Sequence, residues 1–495
     1  MTKPVTAVPA PPTAGLAYRW PRPWVPARPR VLAGAAAAGL VAAVSIPAGV
    51  GAGWLVGVAT VAAFLAGSRS ERPDAARTGW AVATVLLAGV GSVRAAGWLV
   101  ALCLLAAAVT GSLALTRGSG AFALAVRVGA LPFGILHAPH WAGTGLVEAG
   151  RRTAPADRTA AVRMAATVAV SVALLVVFGS LLAGADPAFG DLLGDLVPDA
   201  PATVEPGRLL LLGLATVVAL GGAAVLAAPF DVTGPAAAAA PRKVRRAEWA
   251  IPVGALVALF GAFVLVQVAV LFGGAGHVLG AGGPTYAGYA RGGFWQLLAV
   301  TALTLAVLAA AARWAPRDLP ADRLLVRVLL GTLTALTLVI VASALHRMHT
   351  YEQAYGFTRL RLVVSAAEVW LGSVLLLVLA AGVRLGGRWL PEAAVATAVA
   401  ALLGLAAANP DGLIADRNVT RYAETGSLDR AYLSRLSADA VPALDRLPEP
   451  LRGCVLAGPA ARLGDHGDGW RAANLGRAQA RTVLRRDPAG TAPCP

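Results

Sequence analysis

Long apolar runs such as AGWLVALCLLAAAVTGSLAL, residues 96–115, recur along the sequence and limit the kind of fold that it can adopt. A membrane-spanning helix needs about 20 mostly apolar residues. Inside lipid only a helix or a closed barrel satisfies all of its backbone hydrogen bonds, so runs of this length predict an all-α, polytopic helix bundle. The predicted spans are 31–50, 51–67, 79–93, 96–115, 160–184, 207–228, 249–272, 294–312, 324–345, 361–382 and 391–408.

Residues 121–149 are ambiguous as a further span. Arg127, Pro132 and Pro139 interrupt the apolar run, so the segment could cross the bilayer, lie in the interface, or enter and return. We prefer eleven spans with a re-entrant or interfacial segment at 121–149, and keep twelve spans as the alternative.

The composition supports a membrane protein. The chain is 57% hydrophobic and 14% charged, whereas soluble domains carry about 25% charged residues. The formal net charge of +16 could suggest a nucleic-acid partner. The arginines, however, cluster in short loops between apolar runs, where basic residues orient membrane helices. We therefore expect the partner to be the lipid bilayer, and no nucleic acid.

The arginine-rich loops also predict an orientation in the plasma membrane, because basic loops stay in the cytoplasm. Loop 185–206 has five acidic residues and no lysine or arginine, which is typical of an outer loop. The Pro-rich composition of residues 1–30 predicts a disordered arm, and the rule places it in the cytoplasm. The apolar runs predict a transmembrane bundle at 31–408, and the rule places the tail or small helical domain at 409–495 outside. In the tail, Cys454 and Cys494 could form a disulfide, whereas Cys103 lies within a span.

Three polar segments interrupt the apolar pattern, and the predicted topology places all three at outer helix ends. The first is PTYAGYARGGFWQL at 284–297, with Tyr286, Tyr289 and Arg291. Interfacial aromatic residues with an anchoring arginine would explain this segment without any ligand.

The second polar segment is HRMHTYEQAYGFTRLR at 346–361, followed by Glu368 within a span. An ionised carboxylate in hydrocarbon costs several kcal/mol unless it is paired or hydrated. We therefore expect Glu368 to face the bundle with Arg291 or Arg361 as its partner. The pair could form a substrate or proton site, or a structural ion pair. The other candidate residues of this segment are His346, His349, Tyr351, Tyr355 and Arg359.

His346 and His349 lie one helical turn apart, as two metal ligands can. No convincing further ligands accompany them, so we expect interfacial histidines and no metal or other cofactor. The third polar segment is NPDGLIADRNVTRY at 409–422, and its candidate residues are Asn409, Asp411, Asn418 and Arg421. A helix exit with capping side chains is the alternative to a functional site there.

In these three segments, in LDRAYLSRLSADAVPAL and in GWRAANLGRAQAR, the sequence resembles bacterial multi-pass membrane proteins grouped as domain of unknown function 4173, with the broader relative 4153. The resemblance covers about 160–495. It implies an integral membrane protein and assigns no catalytic residue.

Three functions are compatible with these patterns. We favour an outer-face scaffold or sensor that recognises an extracytoplasmic protein or small molecule. A transporter or lipid-handling permease that uses Glu368 and nearby arginines is the alternative. A membrane-embedded enzyme acting on lipid-linked substrates is a third possibility, but no G-x-S-x-G elbow, P-loop or HExxH motif supports catalysis.

Overall fold

The computed structural model describes residues 26–153, 206–228, 245–272, 286–384, 386–463 and 469–488, with the backbone alone at 151–153, 206, 268–272, 286–295 and 384. Within these ranges every regular element is a helix. The N-terminal helices are α1 (Pro29–Ser45), α2 (Gly53–Gly67), α3 (Ala75–Val93), α4 (Gly97–Leu115), α5 (Ala121–Thr153) and α6 (Pro206–Ala227). They are followed by α7 (Arg246–Phe272), α8 (Tyr286–Trp314), α9 (Pro320–Tyr355), α10 (Arg359–Arg384) and α11 (Leu390–Ala407).

The nine helices from α3 to α11 are long and apolar enough to cross a membrane within the described ranges, and α1 and α2 are shorter apolar helices. The prediction of an all-α polytopic bundle is therefore confirmed. Ten of the predicted spans coincide with a helix, and the span at 160–184 lies outside the described residues.

The bundle has two ends that matter for the site. Gly53, which begins α2, lies against Ser45, which ends α1. At the same end, the amide of Ala52 donates to the carbonyl of Ala473 in the C-terminal region at 3.0 Å. We call this the tail end, and it also holds the last turns of α3, α9 and α11 and the first turns of α4 and α10. The opposite end is called the far end.

Helix α5 is continuous, although Pro132 and Pro139 lie inside it. Near its start, Arg127 donates to the carbonyl of Gly118 at 2.7 Å, just after the far end of α4. Much later in the helix, Gly145 packs against Ala27, which precedes the far end of α1. Two distant points of α5 thus contact the same end of the bundle. This placement favours the interpretation in which 121–149 does not cross, and the number of crossings stays a prediction.

The C-terminal region forms a small helical domain, which we call the tail domain. Its helices are α12 (Pro410–Thr425), α13 (Arg430–Leu433), α14 (Val441–Leu444), α15 (Leu451–Leu463) and α16 (Leu475–Arg486), with 3-10 turns at Ala438–Ala440 and Trp470–Ala472. Apolar side chains from these helices, among them Ile414, Leu436, Leu444 and Leu456, are fully buried in one core. Phe357 and Leu362 pack against this core from the bundle, so the domain is joined to the tail end by apolar contacts.

Candidate functional site

The α9–α10 corner turns at Gly356, which has a φ of 82°. Residues other than glycine rarely adopt a positive φ, because their Cβ atom then crowds the backbone. Space is a second restriction here: a Cβ at this position would lie 2.6 Å from Oδ1 of Asn418. The second polar segment therefore needs a glycine at position 356, both for its positive φ and because Asn418 of the third segment leaves no room for a Cβ.

Asn418 ties the corner to α12. Its Oδ1 accepts from the amide of Phe357 at 3.2 Å, and its Nδ2 donates to the carbonyl of the same residue at 2.9 Å. Nδ2 also donates to the carbonyl of Ile414, one turn earlier in α12, at 2.8 Å. The Asn418 side chain thus supplies hydrogen-bond partners for the backbone amide and carbonyl of Phe357, which lies in the turn between α9 and α10.

Asp411 is the centre of the polar cluster. Its carboxylate is fully buried and forms a two-pronged pair with Arg359, at 2.9 Å from Nε to Oδ1 and 2.6 Å from Nη2 to Oδ2. The indole of Trp98 in α4 donates to Oδ1 at 3.2 Å, and the amide of Ser437 donates to Oδ2 at 2.8 Å. One carboxylate therefore connects α4, α10 and two parts of the tail domain.

These donors decide the ionisation of Asp411. Burial raises its pKa, but the hydrogen bonds from Arg359 and Ser437 outweigh burial and hold the pKa below the usual aspartate range. Hydrogen bonding to the charged form stabilises that form. Asp411 is thus an ionised, fully bonded group, and no oxygen of its carboxylate remains open to a ligand.

Asn409 caps the start of α12 in the left-handed conformation, with a φ of 53° that asparagine tolerates better than most residues. Its Oδ1 accepts from the amide of Gly412 at 3.3 Å, and its Nδ2 donates to the carbonyl of Asp439 at 3.4 Å. The Asn-Pro-Asp-Gly turn that follows the last span therefore starts α12 and also contacts the tail domain.

Arg421 closes the carboxyl end of α9. Its Nε donates to the carbonyl of Gln353 at 3.1 Å, and Nη2 donates to the carbonyl of Ala354 at 2.8 Å. The last carbonyls of a helix lack intrahelical partners and carry partial negative charge, so a guanidinium is a favourable cap. A third bond, from Nη1 to the carbonyl of Ser427 at 3.3 Å, holds the arginine in place.

Sequence reasoning did not identify Asp439, which forms a second contact between the tail domain and the bundle. Its Oδ2 accepts from the amides of Ala95 and Ala96 at 2.7 and 3.0 Å, before the first turn of α4, and from the hydroxyl of Ser437 at 3.1 Å. Burial raises the pKa of Asp439, and these hydrogen bonds lower it only in part. Its single position in LSADAVPAL gives no signal for this role, because its partners in the bundle, Ala95 and Ala96, lie more than 300 positions away.

Arg361, proposed as a partner of Glu368, has other contacts. Its guanidinium donates to the carbonyl of Gly356 and lies 4.3 Å from the centre of the Tyr351 ring. The Tyr351 ring is in turn 4.8 Å from that of Tyr355, which is half exposed. The two tyrosines and Arg361 therefore form one stack at the rim of the α9–α10 corner.

Glu368 is fully buried in α10, as its predicted orientation towards the bundle requires. Neither of its carboxylate oxygens has a hydrogen-bond partner among the side chains and backbone groups that the structure describes. The expected pair with Arg361 is therefore wrong, because the guanidinium of Arg361 donates to the carbonyl of Gly356 instead. A pair with Arg291 stays a prediction, since only the backbone of that residue is described.

The first polar segment can be placed only by its backbone. Tyr286, Tyr289 and Arg291 occupy the first two turns of α8, and their side chains lie outside the described residues. The second and third segments are in contact with each other, and the cluster between them is filled by their own hydrogen bonds.

His346 and His349 are both exposed on α9, and Nε2 of His349 lies 3.0 Å from Nε2 of Gln353. Across the searched part of the chain, no three His, Cys, Asp or Glu residues are grouped so that they could hold a metal ion. Cys103 is a buried free thiol in α4. Cys454 is disulfide-bonded; its expected partner Cys494 lies outside the described residues, so that pairing stays a prediction.

Comparison with known proteins gives one result. No curated protein and no solved structure matches the chain significantly. The family described as a domain of unknown function, DUF4153, matches residues 81–447. This range includes α3 from Ala81 onward, the eight other long apolar helices in full, and the polar cluster. The narrower resemblance to family 4173 and a bacterial origin stay predictions. The chain is a multi-pass integral membrane protein, and it belongs to the DUF4153 family.

Proposed function

We propose that the protein is an outer-face recognition scaffold or sensor of the plasma membrane, in which the tail domain and the tail end of the bundle act as one extracytoplasmic platform. The observation that carries this proposal is the burial of Asp411 between Trp98, Arg359 and Ser437. A carboxylate that is bonded on all sides holds the domain to the helices and does not itself bind a substrate. Binding to the domain can then bias the arrangement of the helices.

The rim of the platform carries the kinds of side chain that recognise partners. Tyr355 is 50% exposed and Trp470 is 57% exposed. The guanidinium of Arg471 lies 5.8 Å from the centre of the Trp470 ring. Aromatic residues and arginine are enriched at protein interfaces, since they offer a large apolar area together with a polar group. An extracytoplasmic protein or a small molecule would fit this chemistry.

The orientation is tested with a reporter enzyme that gains activity only after export. Fusion behind Thr420, in the tail domain, should give an active reporter. Fusion behind Arg388, in the far-end loop between α10 and α11, is the matched control and should be silent. An inactive reporter at 420 together with an active one at 388 would place the platform in the cytoplasm.

Recognition is tested by photo-crosslinking in intact cells, with a photoreactive amino acid at Tyr355 or Trp470. We expect both positions to capture the same partner, and Trp389, which is exposed at the far end, to capture none of it. Asp411→Asn should reduce the capture by loosening the platform. Asp416→Asn is its control, because Asp416 lies on the same helix in an exposed pair with Arg446. Capture of lipid alone at both positions would contradict the proposal.

Glu368 favours a second candidate, a transporter or lipid-handling permease. A fully buried carboxylate without a described hydrogen-bond partner is unusual in a helix bundle, and ionisable residues inside membranes often mark proton or substrate paths. In proteoliposomes with an imposed pH gradient, Glu368→Gln should then abolish a proton flux that the parent protein supports. Equal flux in parent, variant and protein-free liposomes would exclude this candidate.

A further inference from the structure

We infer that the far end of the bundle holds a binding site for an anionic phospholipid, with one acyl chain in a cavity and the headgroup phosphate at Arg327. The cavity has a volume of about 450 Å³ and lies between α8, α9, α10 and α11. This volume is within the roughly 300–1,000 Å³ range of small-molecule sites.

Three glycines, which have no side chain, help to leave the cavity open. Gly331 of α9, Gly382 of α10 and Gly387 of the following loop all line it. A Cβ built at any of the three would meet no atom within 4 Å. Small residues in membrane helices normally permit close helix packing. Here the same residues leave open space, which a flexible hydrocarbon chain can fill.

The lining is apolar apart from a few groups at one side. Thr334 uses its hydroxyl within its own helix, as a donor to the carbonyl of Leu330 at 2.6 Å. The charged lining residues are Arg317 and Arg327, and the described lining includes no acidic residue. An apolar interior with a positive rim is complementary to a molecule that joins a hydrocarbon chain to a negative headgroup.

Arg327 is the group that is placed to meet the phosphate. It lies one helical turn before Gly331, so the two residues share the face of α9 that lines the cavity. Its side chain is exposed, and it makes no hydrogen bond or ion pair with any residue in the ranges that the structure describes. Arg317 is anchored differently, because its Nη2 donates to the carbonyl of Ala312 at 2.6 Å.

Two acidic side chains at this end are already engaged. Asp322 is buried and paired with Arg246, and Glu392 accepts from Nη1 of Arg127 at 2.6 Å. They therefore do not neutralise Arg327. Under our proposed orientation the far end faces the cytoplasmic leaflet, whose anionic lipids attract basic groups next to the membrane. These observations favour a lipid as the occupant over a neutral apolar ligand.

The test is native mass spectrometry of the full chain in detergent, titrated with dioleoyl phosphatidylglycerol or with dioleoyl phosphatidylcholine. One charge-assisted hydrogen bond corresponds to about a tenfold change in affinity, so the parent should prefer the anionic lipid by about that factor. Arg327→Gln should abolish the preference, and Arg327→Lys should retain most of it. Arg388→Gln removes the same charge at the same end, outside the cavity lining, and should change nothing.

The cavity itself is tested with Gly331→Leu, which adds a side chain where a Cβ would meet no atom within 4 Å. This variant should bind both lipids at least about tenfold more weakly, since the acyl chain loses its place. Gly404→Leu is its control, because Gly404 lies in α11 with equally open space beside it and is not part of the lining. Unchanged preference in Arg327→Gln, or unchanged binding in Gly331→Leu, overturns the proposal. Lipid binding without a preference in the parent protein also overturns it.

Discussion

The indole nitrogen of Trp98 lies 3.2 Å from Oδ1 of Asp411, so the first turn of α4 is bonded to a residue 313 positions further along the chain. Through this contact the N-terminal part of the bundle, the α9–α10 corner and the tail domain meet at one carboxylate. The stability of that junction, and of the groups next to it, can be measured directly.

Asp411→Asn should destabilise the protein by about 3 kcal/mol, because removing one partner of a buried ion pair leaves the other without compensation. The asparagine amide oxygen could accept only one of the two bonds from Arg359, and the NH₂ group would place a donor against the other guanidinium nitrogen. The measurement is the unfolding of the purified full chain in detergent, followed by heat or denaturant. Asp416→Asn, which breaks an exposed pair, should cost less than about 1 kcal/mol. Equal effects of the two substitutions would contradict a buried clamp.

The pH dependence of stability should reflect Asp439. Its pKa is raised by burial in the folded protein, so its contribution is fully present below the unfolded pKa and is lost as pH rises through the folded pKa. Asp439→Asn removes this titration. The melting temperature of the variant relative to the parent should therefore increase as pH is raised from about 4 to 8. A difference that stays constant over this range would show that Asp439 does not titrate there.

Asp411 acts in the opposite direction. Its folded pKa is lowered, so its contribution is present above the unfolded pKa and is lost as pH falls through the folded value. Thermal unfolding of the parent and of Asp411→Asn should therefore converge below about pH 4, the usual aspartate range. If the melting temperatures of the two proteins differ as much in acid as at neutral pH, the charge of Asp411 does not stabilise the junction.

Gly356→Ala should destabilise the protein more than Gly426→Ala. Both glycines have a positive φ, of 82° and 69°, so each substitution should cost about 1 kcal/mol or more for the backbone conformation. Only at Gly356 does the new Cβ also meet Oδ1 of Asn418. Equilibrium unfolding in denaturant gives both values. Addition of Asn418→Ala to Gly356→Ala should not restore stability fully, since the strained φ remains and the asparagine bonds are lost.

Glu368→Leu should stabilise the protein by about 1–3 kcal/mol, because it removes a buried polar group that has no described hydrogen-bond partner. Glu368→Gln, which keeps the shape and a polar end, is the companion variant and should have a smaller effect. Both are measured by thermal unfolding in detergent. A loss of stability in Glu368→Leu would instead indicate a partner for the carboxylate, and Arg291 would be the first residue to substitute.

The sequence alone determined the class of fold and the position of most helices. A run such as 96–115 must become a helix in lipid whatever its neighbours are, because the requirement to satisfy each backbone N–H and C=O is local. The same local reasoning identified the two polar segments that meet, since Gly356, Asn409, Asp411 and Asn418 interrupt an apolar pattern at helix ends.

The tertiary structure decided which groups are partners. Hydropathy says that Glu368 is buried, but whether a guanidinium reaches it depends on the path of the α9–α10 corner, and Arg361 bonds the carbonyl of Gly356 instead. Asp439 carries no sequence signal, because its role arises only when the tail domain brings it to the amides of Ala95 and Ala96. Burial is a property of a segment, whereas pairing is a property of positions that packing brings together from distant parts of the chain.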